Sequence, residues 1–430
     1  MNANDLLQLQ QPVTDGAIRS VNFFNGRLLA AKDLAREQDA RDTADARLGL
    51  ALGEGVAWGL DVVRDTSVSG ATGAVVRIAA GLAVNRAGQT LYLAQDTSVA
   101  LQRQFDGGTD ASCTCTFTNC TPLVGGTYVA GAGLYLLTLA PSATTEGRAA
   151  SNGLDPLNVR CAIDVNVEAV QFRLLQLDAQ LLAGLDLGAA TLRNDIAYRA
   201  FGQGIQPAWF ASLFDAPPRA DDLLEALRKT RLGDAEVPLA LLSFKGTSTL
   251  DFIDAWAVRR PLHQSGTDAF SGLAQSRRLA VGHAMFMQFQ RQVADLASPR
   301  VLPASATAQG LCRYLPPVGI IPIAEETGGT DQQALAFFAG MTVRGPAFIN
   351  AARLEGLVRE SLAYPPIDTQ SGEFVWLYRV RENREAIDFA GSSGSLPRSY
   401  VVFSSGQMPY RADARYDGAY WNYANYALAR

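Results

Sequence analysis

The chain has 430 residues, too long for one ordinary core; at roughly 100–200 residues per domain, two to four domains are expected. Hydrophobic residues make up 48% and charged residues 18%, enough apolar material for sizeable cores, and the net charge of −5 gives no electrostatic reason to expect nucleic acid. Two histidines, His263 and His283, exclude a three-histidine metal site, and three lysines (Lys32, Lys229, Lys245) beside 34 arginines leave few chances for a phosphate-binding or Schiff-base lysine.

The fold class expected is α+β and multi-domain. It comprises a mixed, β-rich N-terminal region with one charged helix, a helical middle, and a β-containing C-terminal region. The divisions read as a flexible arm over 1–16, a β-rich domain over 17–175, a helical or mixed domain over 176–300 and an α+β domain over 301–430. The first residues have no basic start and no apolar stretch of signal-peptide type. Synthesis in the cytoplasm is expected, with release inside an extracellular particle as an open route and no membrane insertion.

Ile18 to Leu29 is an apolar patch broken by an Asn25-Gly26 turn signal. Ala31 to Leu52 has helical composition, but its apolar stripe is thin: Leu34, Ala44, Leu48 and Leu52. Such a helix is poorly driven to bury itself in its own subunit. It reads either as a solvated surface helix or as one lying against another subunit. From Gly53 to Leu101 the pattern is β, with two short strands around a turn at Gly88. Tyr128 to Leu139 is the next strand, and Pro141 to Leu157 reads as a polar loop. Ala162 to Arg173 alternates in polarity with a phase shift, which predicts a β-bulge near Val170.

Leu175 to Thr230 reads as mostly helical, interrupted by Pro217-Pro218, and Val237–Lys245 with Thr249–Val258 as paired strands. Ser276 to Leu296 is the longest helix, with Leu279, Phe286, Phe289, Val293 and Leu296 on one seam. That seam packs in a core or forms a short intersubunit contact. Gly282 interrupts it, weakening the helix or marking a close backbone approach. Gly345-Pro346 is expected to start another helix that ends at Tyr364-Pro365-Pro366. Phe374 to Arg381 is a strand with one aromatic face, and Tyr400 to Ser404 is another.

Motifs that carry chemistry are few. There is no phosphate loop, nucleophile elbow or H-E-x-x-H helix, and Gly53 to Gly59 only loosely resembles a dinucleotide fingerprint. Carboxylate pairs such as Asp251/Asp254, Glu325/Glu326 and Asp164/Glu168 look no different from solvated charge. Cys113, Cys115 and Cys120 form a cluster that could hold metal with Cys161, form a disulfide, or remain free; Cys312 stands apart. No catalytic residue, cofactor or metal site is assigned. Arginine concentrations at Arg148, Arg259-Arg260 and Arg277-Arg278 suit protein interfaces. The last residues carry Tyr410, Tyr416, Tyr420, Trp421, Tyr423 and Tyr426, types that concentrate at interfaces and at glycan-binding surfaces.

The stretch VNFFNGRLLAAKDLAREQ, from Val21 to Gln38, resembles a block found in a bacterial protein family. In that family the block is followed by a charged helix and a glycine-rich segment, here GEGVAWGLDV from Gly53 to Val62. A further strand follows, here GLAVNRAG from Gly81 to Gly88. The chain departs from the pattern at Ala30-Ala31, where a threonine is usual, and its charged helix lacks the usual aromatic and histidine positions. The family is associated with phage-tail-like particles and contractile injection systems. The resemblance implies a baseplate-associated or peripheral tail protein, not an enzyme, whose partners are other particle subunits and copies of itself. The surfaces expected to meet neighbours are Phe23, Phe24, Arg27 and Leu28, the charged helix and the Tyr/Trp residues of the C-terminus. The rival reading is a glycan-binding or carbohydrate-active protein using exposed Tyr and Trp.

Overall fold

In the computed structural model the described residues are 13–67, 74–101, 131–151, 160–202, 223–246, 249–263, 276–297, 302–323, 330–382 and 399–407. The cysteine cluster, Pro217-Pro218, Glu325/Glu326 and the aromatic C-terminal residues lie outside them. The fold is α+β.

The first helix, α1, spans Ala31–Leu52, the bounds its composition predicts. Six short strands follow: β1 Gly55–Gly59, β2 Val62–Arg64, β3 Val75–Ile78, β4 Gly81–Val84, β5 Thr90–Leu93 and β6 Thr97–Ala100. They form two antiparallel sheets, β1-β4-β5 and β2-β3-β6. β4 and β5 pair around the expected turn at Gly88.

Next come β7 (Gly133–Ser151) and β8 (Arg160–Gln176). Two short helices, α2 (Leu192–Ala200) and α3 (Leu223–Arg228), precede β9 (Val237–Phe244) and β10 (Leu250–Asp254). These strands make a sheet ordered β10-β9-β7-β8. Every residue of β9 is buried, because both faces of the sheet are covered. Tyr135, Leu137, Leu139 and Leu242 face the N-terminal strands; Leu134, Leu136, Leu175 and Leu241 face the helices.

Two expectations fail here. The segment from Pro141 is not a loop: β7 continues to Ser151, paired with β8 to Arg160. Beyond Leu139, β7 has lost its β9 partner, so β7 and β8 run on as a two-stranded ribbon with Ala143 to Ala149 and Ala162 to Asn166 exposed. Nor is there a bulge at Val170, since the register is constant across it. The phase shift has another cause. Val170, Phe172 and Leu174 pack on the first core, while Ile163 and Val165 project from the opposite face of the ribbon, where nothing covers them. The segment after β8 is also less helical than composition suggests: β8 reaches Gln176, and turns fill most of the way to α2.

The long helix α4 (Ser276–Leu296) joins this half to the last sheet. After it come α5 (Ala308–Leu311), β11 (Tyr314–Leu315), β12 (Val318–Ile323), α6 (Thr330–Phe337), β13 (Thr342–Ile349), α7 (Leu354–Ser361), β14 (Ile367–Asp368), β15 (Phe374–Val380) and β16 (Ser399–Ser405). The four long strands are ordered β12-β16-β15-β13. β15 has the expected aromatic face: Phe374, Trp376 and Tyr378 join one core, Val375 and Leu377 the other.

The middle of the α4 seam packs in the core, while Leu296 at its end is exposed. Phe289 and Val293 are buried with Phe403, and Phe289 meets Phe403 edge-on at 5.4 Å. Gly282 marks a close approach, as a methyl group there would overlap the Leu362 carbonyl. Gly345-Pro346 does not start a helix. It lies within edge strand β13, where the register against β15 shifts between Arg344 and Ala347. A proline has no N–H to offer a ladder, so an irregular edge position accommodates it.

Candidate assembly surface

The residues before α1 are laid along the helix and tied to it. Gly26 takes a positive φ of 89°, closing the Asn25-Gly26 turn, and the Arg27 N–H donates to the Phe24 carbonyl at 3.2 Å. Arg27 turns back: Nη1 donates to the Asn22 carbonyl at 2.8 Å and Nη2 to Asp33 Oδ1 at 2.7 Å. Asp33 Oδ2 accepts from the Ala30 N–H at 3.1 Å, satisfying a donor at the helix start. That hydrogen bond, and then Arg27, hold the Asp33 carboxyl below the usual range. Further along, the Val21 N–H donates to Glu37 Oε2 at 3.3 Å, and Arg47 donates to the Gly16 carbonyl.

The polar residues of the FFNGRLL…D…E block are therefore fasteners, and its apolar residues are what they present. Phe23 and Phe24 are 54% and 62% exposed, Leu28 is 93% exposed, and Leu29 and Leu34 are also exposed. Of the four expected interface residues here, Phe23, Phe24 and Leu28 face solvent, while Arg27 is largely occupied with its own subunit, its guanidinium 5.9 Å from the Phe24 ring centre.

The far end of α1 is fixed to the β4–β5 turn. Gly49 and Ala46 abut the backbone of Gly88 so closely that neither Gly49 nor Gly88 has room for a Cβ. The expected stripe does not make this contact: Leu34, Ala44, Leu48 and Leu52 are all exposed, and the buried positions are Ala40 and Gly49. Just past the helix, Glu54 accepts from Arg86 Nε at 2.8 Å and lies 3.3 Å from Arg228 Nη2. Arg86 also bonds Glu225 on α3. Burial disfavours the Arg86 charge, but these two carboxylates outweigh it and hold the group above the usual arginine range; burial and then Arg86 pull Arg228 down. Glu54 and His263 exchange backbone hydrogen bonds, each 3.0 Å.

Arg259 and Arg260 do not serve as a surface. Arg259 donates to Asp61 and the Gly59 carbonyl, both at 2.6 Å, and lies over Trp256. Arg260 donates to the carbonyls of Trp256, Ala257 and Ala200 and covers Phe201. Their multiple N–H groups satisfy carbonyls between layers, work for which a lysine offers a poorer fit. Other carboxylates are also occupied: Asp251 pairs with Lys245, and Asp254 with Arg193. His283 packs edge-on against Trp256 at 5.2 Å, and burial, then Arg259, lower its pKa.

Two exposed features escape a sequence reading. One is the ribbon with Ile163 and Val165. The other is the Trp58/Tyr92 pair on the β1-β4-β5 sheet, 6.4 Å apart and inclined at 61°. Strand alternation placed both residues in strands but could not say which sheet face lacks a cover. Among the described residues no group of His, Cys, Asp and Glu could hold a metal ion, and no helix is long and apolar enough to cross a membrane.

No family model matches this chain, and no curated protein does. Among solved structures it is similar to one described as the crystal structure of TssK, with 9% identity and a TM-score of 0.25, over 95% of this chain and 69% of that one.

Proposed function

We propose that this protein is a non-enzymatic structural component of a phage-tail-like particle or contractile injection system, baseplate-associated or peripheral to the tail, acting through protein–protein assembly. The observation that carries the reading is the division of labour before and along α1. Arg27, Asp33 and Glu37 fasten the loop inward, and Phe23, Phe24, Leu28, Leu29 and Leu34 are thereby held outward. Holding large apolar side chains in water opposes folding, and such patches mark sites where a partner supplies the cover. The resemblance of Val21–Gln38 to the particle-associated family supplies the kind of partner.

The test is incorporation. The chain is co-expressed with the sheath, tube and baseplate proteins of a contractile particle from its own source, and sedimented particles are probed for it. Phe24→Asp with Leu28→Asp, and separately truncation after Gln407, should each remove it from the particle while circular dichroism stays that of a folded chain. Incorporation at the unsubstituted level would overturn the reading.

The Trp58/Tyr92 pair favours a second reading, glycan binding. The rings meet edge to face rather than forming a flat platform for a sugar. A cleft lined by Leu302, Ile321, Ile323 and Phe337 contains no carboxylate. Retention on a glycan array that Trp58→Ala abolishes would favour this alternative.

A further inference from the structure

We propose that α1 is a contact between two copies of this chain, paired antiparallel about a two-fold axis level with Thr43 along the helix. This rests on the assembly reading above and names one partner. Looking down the helix, one side is covered by the preceding segment, which reaches Glu37 and, through Gly16, Arg47. The Gly88 turn covers Ala46 and Gly49. Between these lies a row of six exposed residues, Leu34, Gln38, Arg41, Asp45, Leu48 and Leu52, at alternating steps of four and three. That is the spacing of a coiled-coil seam. The three leucines are 53%, 65% and 61% exposed.

The row is complementary to itself when reversed. Leu34 and Leu52 are equidistant from Thr43, as are Gln38 and Leu48, and Arg41 and Asp45. An antiparallel second copy therefore sets leucine on leucine at both ends. At the centre it sets each Arg41 against the partner's Asp45, twice by symmetry. An isologous two-fold contact requires this relation, whereas an unrelated partner does not. Among the described residues Arg41 pairs with Glu37, at 3.9 Å, and its side chain is 77% exposed. Three leucines per helix make a modest interface, so dissociation in the micromolar range, on the order of 1–100 µM, is expected.

Sedimentation velocity of the full chain over that range is the test. The mass should rise from one copy to two. Arg41→Asp and Asp45→Arg each place like charges together at both symmetric positions and should weaken the dimer roughly tenfold or more. Carrying both substitutions restores opposite charges and should restore the dimer. All six residues are exposed, so the melting temperature of each variant, measured well below the dissociation range, should match the original. A chain that stays monomeric, a dimer that neither single swap alters, or a double swap that fails to rescue would overturn the proposal. Incorporation is scored in parallel. A monomer that still enters particles overturns the α1 contact and leaves the assembly reading standing. A swap-sensitive dimer absent from particles upholds the contact and overturns that reading.

Discussion

Gly49 on α1 and Gly88 in the β4–β5 turn touch backbone to backbone, each occupying space that a side chain on the other would need. This one contact seats the C-terminal end of a helix whose leucines otherwise point to solvent. Gly88 also has a positive φ of 81°, so it answers to two constraints, while Gly49 answers only to packing.

Gly49→Ala should therefore separate packing from helix propensity. Alanine favours a helix interior by about 1 kcal/mol, but overpacking costs about 1–3 kcal/mol. Net destabilisation of α1 is expected, read as faster amide exchange across 31–52 with little change in β9. Unchanged exchange would show that the contact does not seat the helix.

Arg27→Ala removes a fastener, and Leu28→Asp changes what is presented. The first should destabilise the loop by about 0.5–1.5 kcal/mol, the usual worth of such hydrogen bonds, and raise proteolysis near Asn25-Gly26. The second should leave stability within about 0.5 kcal/mol, as expected at an exposed site. Chemical denaturation of both variants checks the contrast.

A buried ion pair ties three elements together. Arg193 on α2 donates to Asp254 on β10 at 2.9 Å and to Asp295 on α4 at 2.8 Å, and Gln288 donates to Asp254 at 2.9 Å. Burial opposes the Arg193 charge, but Asp254 and Asp295 raise its pKa overall. Asp254→Ala removes the buried carboxylate and leaves Arg193 facing the half-exposed Asp295, and should cost about 1–3 kcal/mol. Arg193→Met with Asp254→Leu should recover much of it, and urea midpoints of the two variants decide.

The Cys312 thiol is fully buried, and burial, then Asp195, push its pKa up to about 12. A chain retaining Cys312 as its sole cysteine should resist maleimide at pH 8 until it unfolds, because the thiolate is the reactive form. The raised value makes the neutral thiol the native form. Its contribution to stability is present below the unfolded value of about 8.5 and is lost as pH rises toward 12.

Asp65 moves the other way. The Ser67 and Ser98 hydroxyls, then the Ser67 N–H, lower its carboxyl to about 2. Its contribution is present above the unfolded value of about 3.9 and fades as pH falls toward 2. Ser98→Ala should move the Asp65 titration, followed by NMR, back toward the ordinary value.

The elements legible in the sequence are those with a single covered face or a clear stop. α1 ends at Gly53, β4 and β5 turn at Gly88, and β15 splits its aromatics from its aliphatics. Gly282 announced a close approach without naming Leu362. What could not be read depends on partners distant in the chain. Residues 143–149 carry no alternation that betrays a strand, because water reaches both faces and only pairing with β8 extends them. Pro346 has the features of a helix start, and only the neighbouring β15 makes its place a strand irregularity. For the candidate site, the exposed Phe23, Phe24 and Leu28 were legible as apolar residues around a turn. The inward fasteners Arg27 and Glu37 were not, since composition says nothing about which way a charge points. Arg259 and Arg260 show the same blindness, looking like surface charge and serving as internal connectors.

The ribbon made by β7 and β8 has a mechanical consequence. Both strands run without a break in register from the buried sheet, at Tyr135 and Gln176, out to Ser151 and Arg160. Their hydrogen bonds lie across the strand direction. A pull along the ribbon would draw β7 and β8 out together and load in shear the bonds that tie β7 to β9 between Gly133 and Leu139, whereas a pull that separates β7 from β8 would part their bonds one at a time. A body gripping the ribbon lengthwise would thus be anchored to the central sheet, and one prying it sideways would peel it off.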